Sequence, residues 1–319
     1  MRTPRPWVLP TRPATRAQLT IDGVTKAMLA TQLRSGRLLR LRHNVYLSGS
    51  EWPDDRAGQH LVLARAESVA TPGAAISHES AALVWGLPSP GFRGWEEFAV
   101  SLTVPRGGSH RRLDGAIHHL GPLPSRHLST DTMGYTLTSP ARTAVDLARG
   151  LPLPEALVLL DATARLTVAA YVVSPTRASY RNPRLIQAVR ELLAETAEAR
   201  GIASLTQAIS LADACRESAV ESLSAGHIFQ AGLPTPLFQE PIPTNRGVLH
   251  PDRYWPEQRL VGEADGAVKY RDPDAFVKEK EREQILRDHD YRFVRWLGKE
   301  IMTTHQIVVG RIARALEAA

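Results

Sequence analysis

Asp252 and Glu263 stand eleven positions apart on either side of a turn-like Trp255-Pro256-Glu257-Gln258. A hairpin through that turn would bring their carboxylates together, and converging carboxylates can hold a divalent cation. If Trp255 pairs with Gln258, Asp252 falls opposite Val261. Alternation then puts Val261, Glu263 and Asp265 on the face of Asp252, with Glu263 on the diagonal at roughly 7 to 8 Å. Mg2+ takes oxygen ligands at about 2.0 to 2.1 Å, so two acids at that spacing can lean onto one ion. Held there, the ion would polarise a phosphodiester and supply hydroxide near neutral pH. The chemistry these residues offer is phosphodiester hydrolysis, with Asp252 and Glu263 as metal ligands.

The elements expected to position them begin with a helix over 214–230 that carries Glu221 and stops at Gly232. A strand over 237–241, the hairpin runs 247–254 and 259–264, an amphipathic helix over 273–288, a strand over 291–296 and a helix over 299–318 follow. This αβββαβα order, with Asp-x(10)-Glu-x-Asp-Gly on the hairpin and a glutamate on the preceding helix, resembles the PD-(D/E)XK nuclease superfamily, in particular its very-short-patch-repair-like branch. The resemblance spans about 105 residues. It implies a restriction-endonuclease-like fold, a Mg2+ cofactor, and a catalytic set of Glu221, Asp252, Glu263, Asp265 and Lys269. The superfamily's lysine, two residues after the glutamate, is Asp265 here; Lys269, four residues further on, is the candidate to replace it.

Charge is concentrated at the other end. Residues 1–46 hold nine Lys or Arg and one acid, a net of +8 where all 319 residues sum to +6. A basic patch confined to one end suits a polyanion, because each neutralised phosphate releases condensed counterion. The patch is also patterned. Thr15-Arg16-Ala17-Gln18 has the capping-box form, and Thr25 opens a second helix with Val24 and Leu29 as a hydrophobic staple and Gly36 as the stop. Two short helices around a tight turn read as a helix-turn-helix. Leu29, Ala30 and Leu33 are expected inward, leaving Lys26, Ala27, Thr31, Arg34 and Ser35 to face a groove. The stretch 37–47 then alternates Leu and Arg and turns at His43-Asn44, as a β-wing would. Arg16, Lys26, Thr31, Arg34, Arg37, Arg40 and Arg42 form the expected DNA-binding set, with Arg40 and Arg42 on the wing's outer side. Four prolines at 4, 6, 10 and 13 forbid a regular helix ahead of these two.

In the middle, Ile76-Ser77-His78-Glu79-Ser80-Ala81-Ala82-Leu83-Val84-Trp85-Gly86-Leu87-Pro88 and Leu137-Thr138-Ser139-Pro140-Ala141-Arg142-Thr143-Ala144-Val145-Asp146-Leu147-Ala148-Arg149 look like the hallmark segments of AbiEi-type antitoxins. With the basic end, that resemblance covers roughly residues 14–165. It implies a transcriptional regulator that binds double-stranded DNA and pairs with a nucleotidyltransferase-like toxin; groove readers of this type often work as homodimers on paired half-sites. The residues also read as scaffold, with Ser77 and Ser139 as N-caps, Pro140 at a first helical position and Gly86 as a stop. Ser77 and His78, adjacent on a helix, point apart and do not make a nucleophile and base. His118 and His119, on alternate sides of a strand, do not share an ion. The glycine-containing basic stretch 104–112 reads as an exposed loop able to touch phosphate.

The expected organisation is therefore α/β (α+β): a winged helix-turn-helix over 1–50, an AbiEi-like α/β domain over 51–170, a linker and helix over 171–213, and a nuclease-like αβββαβ domain over 214–319. No apolar run approaches the roughly 18 residues of a membrane span, and residues 1–10 lack the apolar stretch expected of a signal peptide. Cys215 stands alone, which excludes a disulfide framework and suits a reducing cytoplasm. The function expected is a DNA-binding regulator or antitoxin carrying a catalytically degenerate nuclease-like domain. The alternative is an active Mg2+-dependent endonuclease targeted by its N-terminal half.

Overall fold

The computed structural model describes residues 7–91, 93–105, 112–113, 115–197, 203–265 and 273–318. Lys269 and most of the basic loop 104–112 fall outside these. The architecture is mixed α/β and divides into two compact units, Met1–Leu87 with Arg93–Asp146, and Pro88–Phe92 with Leu147–Ala319.

The first unit opens with β1 (Ala14–Thr15), α1 (Arg16–Ile21), α2 (Lys26–Arg34), β2 (Leu38–Arg42) and β3 (Val45–Ser48). Both helices start as their sequence requires. Thr15 accepts from the Gln18 N–H while the Gln18 side chain returns to the Thr15 N–H, and Thr25 accepts from the Met28 N–H. Val24 and Leu29 are buried together with Leu19, Leu38 and Tyr46. The three strands form one sheet in the order β1-β3-β2, and the turn at His43-Asn44 places Asn44 at φ 58°, a left-handed conformation asparagine tolerates. Two expectations change here. Ala30 is exposed, so Leu29 with half-buried Met28 and Leu33 anchors α2. The support absent ahead of α1 comes from behind instead: α3 (Arg56–Ala70) packs against all three strands.

The rest of this unit comprises β4 (Ala75–Ile76), α4 (His78–Trp85), β5 (Val100–Val104), β6 (Arg112–Leu113), β7 (Ala116–Leu120), β8 (Leu128–Thr130), β9 (Thr136–Thr138) and α5 (Pro140–Ala148), which ends just past the unit's boundary. The strands form a six-stranded sheet in the order β6-β7-β5-β4-β9-β8, parallel at β5–β7 and β4–β9. Ser77 does not cap α4 as expected. Its hydroxyl meets His78 Nδ1 at 2.9 Å, and His78, at φ 48°, stacks on His119 with ring centroids 3.5 Å apart.

The second unit begins with α6 (Leu153–Tyr171), α7 (Arg177–Tyr180), α8 (Pro183–Ala197) and α9 (Ala203–Leu211). The stretch 171–213, expected as linker and one helix, thus carries three helices. Val189, Leu193, Leu205, Ala208 and Ile209 are buried, and α8 and α9 pack on α6. Then come α10 (Ala219–Gln230), β10 (Leu237–Phe238), β11 (Ile242–Thr244), β12 (Gly247–Leu249), β13 (Arg253–Trp255), β14 (Leu260–Asp265), α11 (Pro273–Arg287), β15 (Arg292–Leu297), α12 (Gly298–Thr303) and α13 (His305–Glu317). The main sheet runs β10-β13-β14-β15, antiparallel except for β14–β15. Trp255, Leu260, Ala264, Val294 and Trp296 face a core with residues of α10, α12 and α13, while Val261 meets Ile242 and Leu286 on the opposite side. The expected strand 247–254 is two strands, because Gly247–Leu249 pairs with Ile242–Thr244 in a separate small hairpin. The helix expected from 214 starts at Ala219, where Ser218 accepts from the Glu221 N–H. The expected last helix breaks in two at Thr304.

Candidate nucleic-acid interface and acidic cleft

The basic set divides by what each side chain already holds. Along α2, Lys26, Ala27, Thr31, Arg34 and Ser35 are exposed, as the inward pull of Leu29 dictates. Arg37 and Arg40 are exposed on the adjoining stretch, Arg40 within 3.2 Å of His43 Nδ1. Arg16 is half-buried at the wing turn, where its backbone N–H donates to the Asn44 carbonyl at 2.7 Å.

Arg42 departs from its expected outer position. The β2–β3 register shifts between Arg40, opposite Tyr46, and Arg42, opposite Val45, so the extra residue Leu41 forms a bulge. Tyr46 and Val45 lie on opposite faces, and the bulge therefore turns Arg42 away from the face of Arg40. Its guanidinium pairs with Glu67 on α3, which also accepts from His118 Nε2 at 2.8 Å. Arg42 ties the wing to its neighbours.

In the second unit the hairpin closes two residues later than expected. Trp255 pairs with Leu260, Tyr254 with Val261 and Arg253 with Gly262 around a four-residue loop. Pro256 brings no N–H to the ladder, and Arg259 turns the chain at φ 45° with its N–H donating to the Pro256 carbonyl at 3.1 Å. A shift of two preserves which residues share a face. Continued by one residue, the register sets Asp252 directly opposite Glu263, closer than the diagonal expected.

The charge of Asp252 acts on both Glu221 and Glu263. Burial pushes the Glu263 carboxyl up, Arg295 pulls it down and Asp252 adds to the rise. Glu221 is pushed up to about 7, first by burial and then by Asp252, against the pull of Arg253. The expected helix glutamate and Glu263 are thus each coupled to Asp252. Asp265 ends β14, and its side chain lies outside the described residues, as does Lys269.

The donors are largely engaged. Glu221 accepts from Ser218 Oγ at 2.9 Å and from the Glu217 N–H at 3.1 Å. Glu263 Oε2 accepts from Arg295 Nη2. Asp252 Oδ1 has Gln239 Nε2 at 3.5 Å. Among the described residues no three His, Cys, Asp or Glu side chains are grouped to hold a metal ion. As arranged, these side chains do not fit a Mg2+ ion, which asks for near-octahedral oxygen donors with no competing cation bound to them.

Sequence reasoning missed Arg253, Arg295 and Gln239. Arg253 is fully buried, its guanidinium 5.0 Å from the Trp296 ring and donating to the Glu221 carbonyl at 2.9 Å. Arg295 stands opposite Glu263 in the parallel β14–β15 register. Only that pairing exposes its role, because the two residues stand 32 positions apart in sequence.

The Glu221 carboxyl carries a stability prediction. Its folded-state value of about 7 exceeds its ordinary 4.5, so between those pH values the folded chain keeps a proton that the unfolded chain has lost. Stability therefore falls as pH rises through this window, by up to about 1.4 kcal/mol per unit. Glu221→Gln removes the buried charge but also one acceptor, so a net gain of about 2 kcal/mol at pH 8 and no gain near pH 5 is expected in urea denaturation. A variant no more stable than wild type at pH 8 contradicts this account.

No family model matches the chain. Uncharacterized proteins from two strains of Mycobacterium tuberculosis are each 27% identical to it over 299 residues, which is 93% of this chain and 98% of theirs. Among the described residues no helix is long and apolar enough to cross a membrane.

Proposed function

We propose that this protein is a DNA-binding transcriptional regulator similar to AbiEi-type antitoxins, with a C-terminal part of very-short-patch-repair-like nuclease architecture that does not cleave. The observation that carries the reading is the outer face of α2. Its inner residues are fixed in a small core, its outer residues Lys26, Thr31 and Arg34 are exposed, and it packs on the strand that presents Arg40. A capped helix with one free polar face suits a major groove, and exposed arginines on a neighbouring hairpin suit phosphate. In this reading Lys26, Thr31 and Arg34 enter the groove, Arg37 and Arg40 hold the backbone, and Arg42 supports them from inside. The protein acts by occupying a promoter as a homodimer, with a nucleotidyltransferase-like toxin as its partner.

Fluorescence anisotropy with duplex DNA over a salt series tests this. Arg40→Glu is expected to weaken binding to all duplexes alike and to flatten the salt slope by about one. Arg34→Glu should also blunt discrimination between sequences. Absence of binding at low salt sinks the regulator reading.

The hairpin register that sets Asp252 opposite Glu263 favours one second reading, the Mg2+-dependent endonuclease. Plasmid nicking with Mg2+ that disappears in an Asp252→Ala, Glu263→Ala double variant would establish it over the first.

A further inference from the structure

We infer that Arg295 is the resident cation of the acidic cleft, standing where a divalent ion would otherwise be drawn, so that the cleft takes no metal while this side chain is present. The inference rests on reading the second unit as non-cleaving, and it assigns a cause.

Three acids from two elements meet this one guanidinium. Arg295 Nη2 pairs with Glu263 on β14 and lies 3.1 Å from Glu283 Oε2, while Nη1 reaches Glu279 Oε1 at 3.3 Å. Both glutamates belong to α11, so Arg295 bridges the helix to the strand. All these side chains are at most 22% exposed, so the bridge is largely withdrawn from water.

The remaining charges are balanced too. Glu283 also holds Arg287 at 2.7 Å and Lys280 at 3.1 Å. Arg282 acts on Glu263 while donating to the His250 carbonyl at 3.1 Å. On the core face Arg253 donates to the Glu221 carbonyl at 2.9 Å, and its charge acts on Asp252 and Glu221. A Mg2+ or Mn2+ ion is held by donors that carry excess negative charge, because it must exchange tightly bound water for them. Here Glu263, Glu279 and Glu283 each already face a guanidinium. A planar guanidinium with several N–H donors can satisfy several carboxylates together.

The test is a Mn2+ titration of the full chain without DNA, followed by electron paramagnetic resonance of the free ion. Wild type is expected to bind no Mn2+ below the millimolar range. Arg295→Gln, which strips the cation from three acids, should bind at least tenfold more tightly, and Arg295→Lys should remain like wild type. Micromolar Mn2+ binding by wild type overturns the inference, as does a folded Arg295→Gln that binds no better. If Arg295→Gln unfolds, millimolar Mn2+ should restore its circular dichroism, since binding to the folded state alone stabilises it. Failure of that rescue also overturns the inference. Nicking of plasmid by wild type would instead defeat the non-cleaving reading, and the two failures are separately visible.

Discussion

Asp161→Ala is expected to remove about 3 to 5 kcal/mol of stability, the range for breaking a buried ion pair by deleting one partner. Asp161 is fully buried on α6. Its carboxylate accepts from Arg216 Nε at 2.6 Å, from Arg216 Nη2 at 2.8 Å and from the Asp213 N–H at 2.8 Å. Arg216, itself 5% exposed, lies over the Phe238 ring at 4.9 Å and donates otherwise to the Leu211 carbonyl. Removing the carboxylate strands a cation that water cannot reach, together with a backbone N–H at the turn into α10. The pair itself adds little beyond what apolar side chains of similar size would, because its desolvation offsets its attraction. An Asp161→Leu, Arg216→Met double variant is therefore expected to be more stable than Asp161→Ala alone. Urea midpoints of the three proteins decide this. A loss under about 1 kcal/mol in the single variant, or a double variant weaker than the single, contradicts the argument.

What could be read from the chain and what could not follow from how far each signal reaches. Thr15, Thr25, Gly36 and the His43-Asn44 turn act through neighbours within four residues, and their expected roles match the geometry at the caps and the turn. The shared face of Val261 and Glu263 followed from strand alternation, which survives a register error of two. The register itself depended on Pro256 and on Arg259 turning left-handed, a choice that packing of Trp255 in the core reinforces. Ser77 looked like a cap because its type and position allow it, but the contact of His78 with His119, 41 residues away, recruits the hydroxyl instead. The bulge at Leu41 has no local marker, and its effect on Arg42 appears only once Glu67 on α3 is in place. The candidate acids were visible as types at a spacing. The arginines that neutralise them were not, since they belong to β13 and β15 and meet the acids only through the sheet.

Gly226→Ala should cost about 2 kcal/mol net although alanine is the better helix former. Gly226 lies within α10, where it meets the first turn of α6. A Cβ at this position would fall 2.8 Å from Pro154 Cβ, 3.1 Å from its Cγ and nearer still to its Cα. The obstruction is a proline ring and its backbone, which have no rotamer to change, so relief requires the two helices to separate. Overpacking of that kind costs about 1 to 3 kcal/mol or more, against a propensity gain of about 1 kcal/mol. Separation would also loosen Leu223 and Ile228, which sit in the core beneath the sheet. Gly310→Ala in α13 is the matched control, because its Cβ would meet only the mobile end of Arg314 at 3.6 Å. There the propensity gain stands unopposed, and stability should rise by up to about 1 kcal/mol. The two substitutions make the same chemical change in helices of the same unit, so opposite signs in thermal melts would isolate helix contact as the cause. A Gly226→Ala protein that melts at or above the wild-type midpoint would show that α6 and α10 do not pack at this distance.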